Sequence, residues 1–339
     1  MVEYTGTFRA AVVQAAPIWL DIDATIDKSV SLIEEAARCG ADIIAFPETF
    51  VPGYPWWLWL DSPAWGMQFV GTYFENSLTL DGPQFQRLAA AARDNDIVVV
   101  TGHSERDGGS LYMGQAVLGA DGRVLSTRRK LKPTHVERTL FGEGDGSNLK
   151  VVDTPLGRVG ALCCWEHLQP LSKYVMYSQL EQIHIAAWPS FSVYRGAAFA
   201  LGAEVNNGAS RQYAVEGQSF VLAPCAVIDQ AAINLFCDSP VKEQLLLPGG
   251  GFATIYGPDG QELTEPLAET VEGLLYADLD LARIALAKNA ADPVGHYARP
   301  DVTTLLWDRS PRQAVSQTTL PAYAASIDEA TVEPSTITA

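Results

Sequence analysis

Short apolar runs alternate with helix-periodic segments along nearly the whole chain. The runs fall at 8–14, 41–46, 97–102, 159–163, 184–190 and 219–227. Between them, 83–95, 170–182 and 200–216 carry apolar residues at helical spacing, as does an earlier segment with Ile26, Val30, Ile33 and Ala37 on one face. Strands alternating with helices are what an α/β fold requires. Asp23 reads as the N-cap of the first helix and Gly40 as its stop. No linker breaks the alternation, so the pattern predicts one α/β domain over 1–309. Beyond it, 310–339 loses periodicity and becomes rich in Ser, Thr, Ala and Pro, which predicts a flexible C-terminal tail. With 339 residues, 47% of them apolar, the chain is long enough to bury a large core.

Two hairpins are expected. One joins 111–120 to 123–130 around Asp121-Gly122, the other joins 251–257 to 261–263 around Pro258-Asp-Gly260. Gly119-Ala-Asp-Gly-Arg-Val-Leu-Ser126 and Gly257-Pro-Asp-Gly-Gln-Glu-Leu-Thr264 are similar in sequence and placement, which suits two related halves facing each other.

Three strands end beside a reactive side chain. The run 41–46 stops at Pro47 with Glu48 after it, the strand from Arg123 ends at Lys130, and the run 159–163 leads into Cys164. Ligands gather at the C-terminal ends of strands in α/β sheets. Cys164 stands at a strand-to-helix turn, where free N–H groups and a positive helix end favour thiolate. Taken singly, each residue has a structural account: core cysteines at 163 and 164, a loop carboxylate at 48, one charge of the basic run 128–132. Taken together, they point to one pocket.

The residues around these three positions also resemble a known family. Phe46-Pro-Glu-Thr-Phe-Val-Pro-Gly-Tyr-Pro55, Arg128-Arg-Lys-Leu-Lys-Pro-Thr-His-Val-Glu-Arg138 and Ala161-Leu-Cys-Cys-Trp-Glu-His167 are similar to the three catalytic blocks of the nitrilases. Asp292-Pro-Val-Gly-His-Tyr-Ala-Arg-Pro300 is similar to a fourth block, and the likeness spans about residues 5 to 305. The resemblance implies an αββα four-layer sandwich, with Glu48 as general base, Lys130 as charged stabiliser and Cys164 as nucleophile. Glu137 matches a second carboxylate beside that trio. It also implies a homo-oligomer, dimers assembling into larger spirals, acting on small nitriles without a cofactor. Trp165 is expected to lend its backbone N–H to the developing charge, and Tyr54, Trp165 and Trp188 to line the substrate pocket. The runs around Cys164 and at His184-Ile-Ala-Ala-Trp-Pro-Ser190 look most like arylacetonitrile-hydrolysing members. Cyanide hydration and amide hydrolysis are the neighbouring chemistries, and an inactive filament-forming scaffold is the non-enzymatic alternative.

Other classes are excluded on composition and motif. A net charge of −17 argues against nucleic acid, which demands clustered Lys and Arg. No apolar stretch reaches the roughly 18 residues of a membrane span, and no signal-like start is present, so a cytoplasmic protein is expected. Five scattered cysteines make no disulfide framework. Cys163, Cys164 and His167 lack a second ligand pair, so no metal is expected. Gly142-Glu-Gly-Asp-Gly146 and Gly249-Gly-Gly251 read as turns rather than phosphate loops. The run Tyr54-Pro-Trp-Trp-Leu-Trp59 cannot bury every ring on one face, which sends some of them to a pocket mouth or a subunit contact.

Overall fold

The computed structural model describes residues 3–313 and 315. The first half of the chain gives β1 (Thr7–Ala15), α1 (Ile22–Arg38), β2 (Ile43–Ala45), α2 (Pro63–Glu75), α3 (Pro83–Asp94), β3 (Val98–Asp107), β4 (Ser110–Leu118), β5 (Val124–Arg129) and β6 (Phe141–Gly142). The second half gives β7 (Val151–Thr154), β8 (Gly157–Cys163), α4 (Pro170–Ser178), β9 (Ile183–Ala187), α5 (Ala203–Gly217), β10 (Phe220–Ala223) and β11 (Cys225–Ala226). It ends with α6 (Gln230–Phe236), α7 (Pro240–Leu245), β12 (Thr254–Tyr256), β13 (Gly273–Asp280) and α8 (Ala282–Ala291).

Two mixed sheets result. The first runs β11-β1-β2-β3-β4-β5, with β13 on β1 and β6 on β4; the second runs β12-β10-β9-β8-β7. β1 shows why its middle, Ala10 to Val13, is apolar. Ala10 and Val12 join a core with Val159, Ala161, Ile183, Ile185 and Val221 of the second sheet. The alternate residues Ala11, Val13 and Ala15 pack with Ile26 and Ile33 of α1 and with Phe85 and Leu88 of α3. Side chains alternate along a strand, so both faces of this stretch are apolar, and the buried Gln14 beyond it has its amide hydrogen-bonded to Ala268 O, Val271 O and Ala253 N. On the far side of the second sheet, Met176 of α4 and Tyr213 and Ala214 of α5 complete the same core. The layers are therefore helix, sheet, sheet, helix, as the resemblance implied.

The two hairpins form with matching turns. In each, a glycine N–H reaches across to the returning strand (Gly119 to Arg123 O, Gly257 to Gln261 O), and an Asp carboxylate caps it. Gly122 and Gly260 take φ of +79° and +81°, the left-handed conformation that the turns need.

Several boundaries differ from expectation for local reasons. Asp21, not Asp23, caps α1, its carboxylate accepting from Ala24 N at 3.0 Å. The expected strand 219–227 is two strands in different sheets, divided at Pro224, which has no N–H to give a ladder. α2 went unanticipated. Ser62 caps it, Pro63 opens it, and its Phe69 and Tyr73 rings pack on Trp57 at 5.2 and 5.0 Å. The expected tail lies largely outside the described residues. Just before it, Trp307 donates to Gly146 O at 2.8 Å, and at its described start Arg312 N donates to Asp145 Oδ2 at 2.7 Å.

Candidate active site

Four strand ends meet where the two sheets face each other: β2 and β5 of the first, β8 and β9 of the second. Glu48 follows β2 on a loop with Thr49 at φ +45°. The loop lies directly on β3 because residue 102 is glycine; a Cβ there would stand 1.9 Å from Pro47 O. Glu48 N–H reaches across to Trp188 O, beyond β9, at 3.4 Å. Lys130 follows β5, its backbone fixed by Met113 O and Gly144 N, both at 2.8 Å.

The Lys130 ammonium is buried between two carboxylates, Glu48 Oε1 at 2.9 Å and Glu137 Oε2 at 2.8 Å. Glu137 is itself held in a capping box with Thr134, and its Oε1 accepts from Tyr54 OH at 2.7 Å. Trp59 Nε1 donates to that same tyrosine oxygen at 3.0 Å. Glu48 Oε2 is buried with no hydrogen-bond partner among the described residues.

Cys164 leaves β8 with φ +46°, a strained value for a non-glycine residue. It lines a narrow cleft with Glu137, Tyr54, Trp165 and Trp188, walled further by Trp56, Trp59, Phe191, Leu201 and Asn206. The open space within it is small, about 30 Å³. Trp165 and Trp188 are locked by indole hydrogen bonds of 2.9 Å to Asn206 Oδ1 and Ser210 Oγ. Every site residue named from the sequence thus comes to one place. Of the crowded tryptophans, Trp56 and Trp59 line the cleft, whereas Trp57 goes into the core with Phe69, Tyr73 and Phe236.

Electrostatics correct one expectation. Burial and then the Glu48 charge push the Cys164 thiol well above its ordinary range, outweighing Lys130 and the Trp165 N–H. Cys164 opens a short 3-10 turn, and α4 begins only at Pro170, so no long helix aims its positive end at the sulfur. The thiol is neutral at rest and needs a base. Burial, partly offset by Lys130, raises Glu48 to about 8. For Lys130 burial opposes the charge, but Glu137 and Glu48 prevail and hold it well above the usual lysine range.

Sequence reading missed the clamp that joins the strand ends. Glu166 accepts from Arg128 Nη2 at 2.7 Å and Leu131 N at 2.8 Å with one oxygen, and from Cys163 N at 2.8 Å with the other. It thereby ties the end of β5 to the end of β8. Arg128, expected to belong to the catalytic basic run, is this structural cation. Leu201 and Asn206 gave no local signal, since only tertiary packing brings them to the cleft.

The carbon–nitrogen hydrolase family model matches residues 9–289. The chain belongs to the carbon–nitrogen hydrolase family. This hydrolase is 59% identical to a nitrilase of Pseudomonas syringae pv. syringae (strain B728a), covering 91% of each chain. It is 57% identical to an aliphatic nitrilase of Rhodococcus rhodochrous, over 90% of this chain and 84% of that one. It is 50% identical to an arylacetone-specific nitrilase of Alcaligenes faecalis, over 91% and 87%. Among solved structures, a carbon–nitrogen hydrolase from Helicobacter pylori G27 shares the fold, with TM-score 0.69 at 20% identity over 88% of this chain and 97% of that one.

Proposed function

We propose that the enzyme hydrolyses organic nitriles to a carboxylic acid and ammonia, with Cys164 as nucleophile. One observation carries the reading: a buried ammonium bridges two carboxylates beside a cysteine that opens onto a cleft walled by aromatic rings. Glu48 takes the thiol proton as sulfur adds to the nitrile carbon and passes it to the nitrile nitrogen, giving a thioimidate and a free carboxylate. Water, its proton passing to Glu48, adds to that carbon. Glu48 returns that proton to the nitrogen, and ammonia departs and leaves a thioester. A second water releases the acid and restores the thiol. Lys130 and the Trp165 N–H stabilise the charge that develops on nitrogen and then on oxygen. Glu137 holds the Lys130 ammonium from the side opposite Glu48. A base whose pKa lies near 8 suits this task, because a base works best when its pKa lies near the working pH.

Trp59, Trp188 and Phe191 wall the cleft with aromatic surface, which supports an arylacetonitrile. An aliphatic nitrile is the second reading, supported by the Rhodococcus relative. Ammonia release from cyanide, a short aliphatic nitrile, benzonitrile, phenylacetonitrile and phenylacetamide tests both. Phenylacetonitrile ranking first is expected. An aliphatic nitrile or cyanide ranking first overturns the substrate preference, a preferred amide makes the enzyme an amidase, and no ammonia from any of them supports the scaffold.

The same reading includes a cytoplasmic homo-oligomer. Cys39, Cys163, Cys164, Cys225 and Cys237 are all free, as a reducing compartment keeps them. No helix among the described residues is long and apolar enough to cross a membrane. Leu171 and Phe199 expose 66% and 69% of their surface, apolar area that a second copy could cover. Light scattering giving a monomer mass would reject the oligomer.

A further inference from the structure

Behind the nucleophile lies a line of buried polar groups that the reaction above does not use. His167 Nδ1 stands 2.6 Å from Cys164 O, and His167 Nε2 stands 2.9 Å from His184 Nε2. His184 Nδ1 stands 2.8 Å from Glu181 Oε1, and Tyr213 OH donates to Glu181 Oε2 at 2.5 Å. All four side chains are at most 2% exposed. His184 stacks on the Tyr213 ring at 3.6 Å, and His167 lies against Trp188 at 5.4 Å. Room for the carboxyl depends on Gly160 of β8, where a Cβ would fall 1.9 Å from Glu181 Oε1.

The direction of this line follows from its end. A carbonyl oxygen can only accept, so His167 Nδ1 carries the hydrogen. In a neutral ring Nε2 is then bare and accepts from His184 Nε2–H. His184 Nδ1 is bare in turn, so Glu181 is the protonated donor. Burial supports this assignment: it pushes His167 down to about 3, pulls His184 well below its ordinary range and lifts Glu181 to about 8. Every donor meets an acceptor, and every dipole points its positive end at Cys164 O.

That carbonyl belongs to the same peptide group as the Trp165 N–H. A trans peptide places its oxygen and its hydrogen on opposite sides. The Trp165 N–H is accordingly within hydrogen-bond reach of the Cys164 sulfur. We propose that Glu181, His184 and His167 are positioning residues that hold the strained Cys164–Trp165 peptide and polarise it, presenting its N–H to the charge that forms on the substrate. Hydrogen bonds in series strengthen one another, so a donor on the oxygen side makes the N–H a better donor on the other. The proposal rests on Cys164 being the nucleophile.

The test compares His167→Asn with His167→Gln in the full-length enzyme, alongside Glu181→Gln. Asn places its amide N–H where Nδ1–H stood; Gln carries it one bond further, away from Cys164 O. Turnover of phenylacetonitrile is normalised to the folded fraction, read from the near-ultraviolet circular dichroism signal, so that only folded sites count. His167→Asn should keep kcat within about tenfold. His167→Gln should lose about 10²–10³-fold in kcat and equally in kcat/KM, the loss seen when one oxyanion donor is removed. Glu181→Gln should retain turnover, because its amide N–H replaces the carboxyl O–H. Equal kcat for the Asn and Gln variants would overturn the proposal, as would collapse of turnover in Glu181→Gln. Turnover by Cys164→Ala would instead remove the reading beneath it.

Discussion

Cys163 and Cys164 are consecutive yet face opposite ways: the Cys163 sulfur lies 4.0 Å from Arg128 Nη1 in the core, while Cys164 opens onto the cleft. Residues leaving a strand alternate sides, and the positive φ at Cys164 completes the turn outward.

Cys164→Ala should therefore abolish turnover, and Cys163→Ala should keep a sizeable fraction. Intact-mass spectrometry with a slow nitrile should place the covalent adduct on Cys164. An adduct on Cys163 would refute the assignment.

Lys130→Ala should cost about 10²–10⁴-fold in kcat, the range for a lost charge stabiliser or base. Lys130→Arg should not restore it, since a planar fork cannot sit between Glu48 and Glu137 in the place of a compact ammonium. Lys132, more than half exposed and paired with Glu143 at the surface, should tolerate Ala. Steady-state kinetics on the three variants decide it.

Arg128→Ala should destabilise rather than disable. It leaves Glu166 buried without its cation, a change that costs about 3–5 kcal/mol when a buried pair is broken. Urea unfolding should show the loss. An Arg128→Ala enzyme with unchanged stability and abolished kcat would return Arg128 to the catalytic set.

The raised pKa of Glu48 has opposite consequences for rate and stability. Its basic form prevails only above about 8, so kcat/KM should rise with pH up to that value and fall about tenfold per unit below it. A carboxyl raised in the folded state adds stability that is complete below its ordinary 4.5 and lost as pH climbs through about 8. Relative to Glu48→Gln, the parent should thus lose melting temperature across the window in which it gains activity. A rate profile flat from pH 5 to 9 would contradict the assignment of Glu48 as base.

What the chain disclosed in advance was whatever short segments encode. The two-faced burial of β1 shows as the apolar run from Ala10 to Val13, and Glu48, Lys130, Glu137 and Cys164 sit in blocks with recognisable neighbours. Contacts made only by folding stayed hidden. Nothing near Arg128 says that its partner is Glu166, 38 residues away, and nothing near His184 names His167 and Glu181 as its neighbours. The thiolate expectation failed for a related reason: helix position is local, but the burial that governs the Cys164 proton is not.

The hydrogen bond from Glu48 N to Trp188 O spans the seam between the sheets, with the base on one side and the nucleophile on the other. Neither half of the molecule owns the reaction. Catalysis is then a gauge of how the halves are seated, and a slip of an ångström along the seam would silence the enzyme while leaving each sheet intact. In rising urea, activity should vanish before the far-ultraviolet circular dichroism signal, and a bound inhibitor spanning the cleft should act as a rivet that brings the two transitions together.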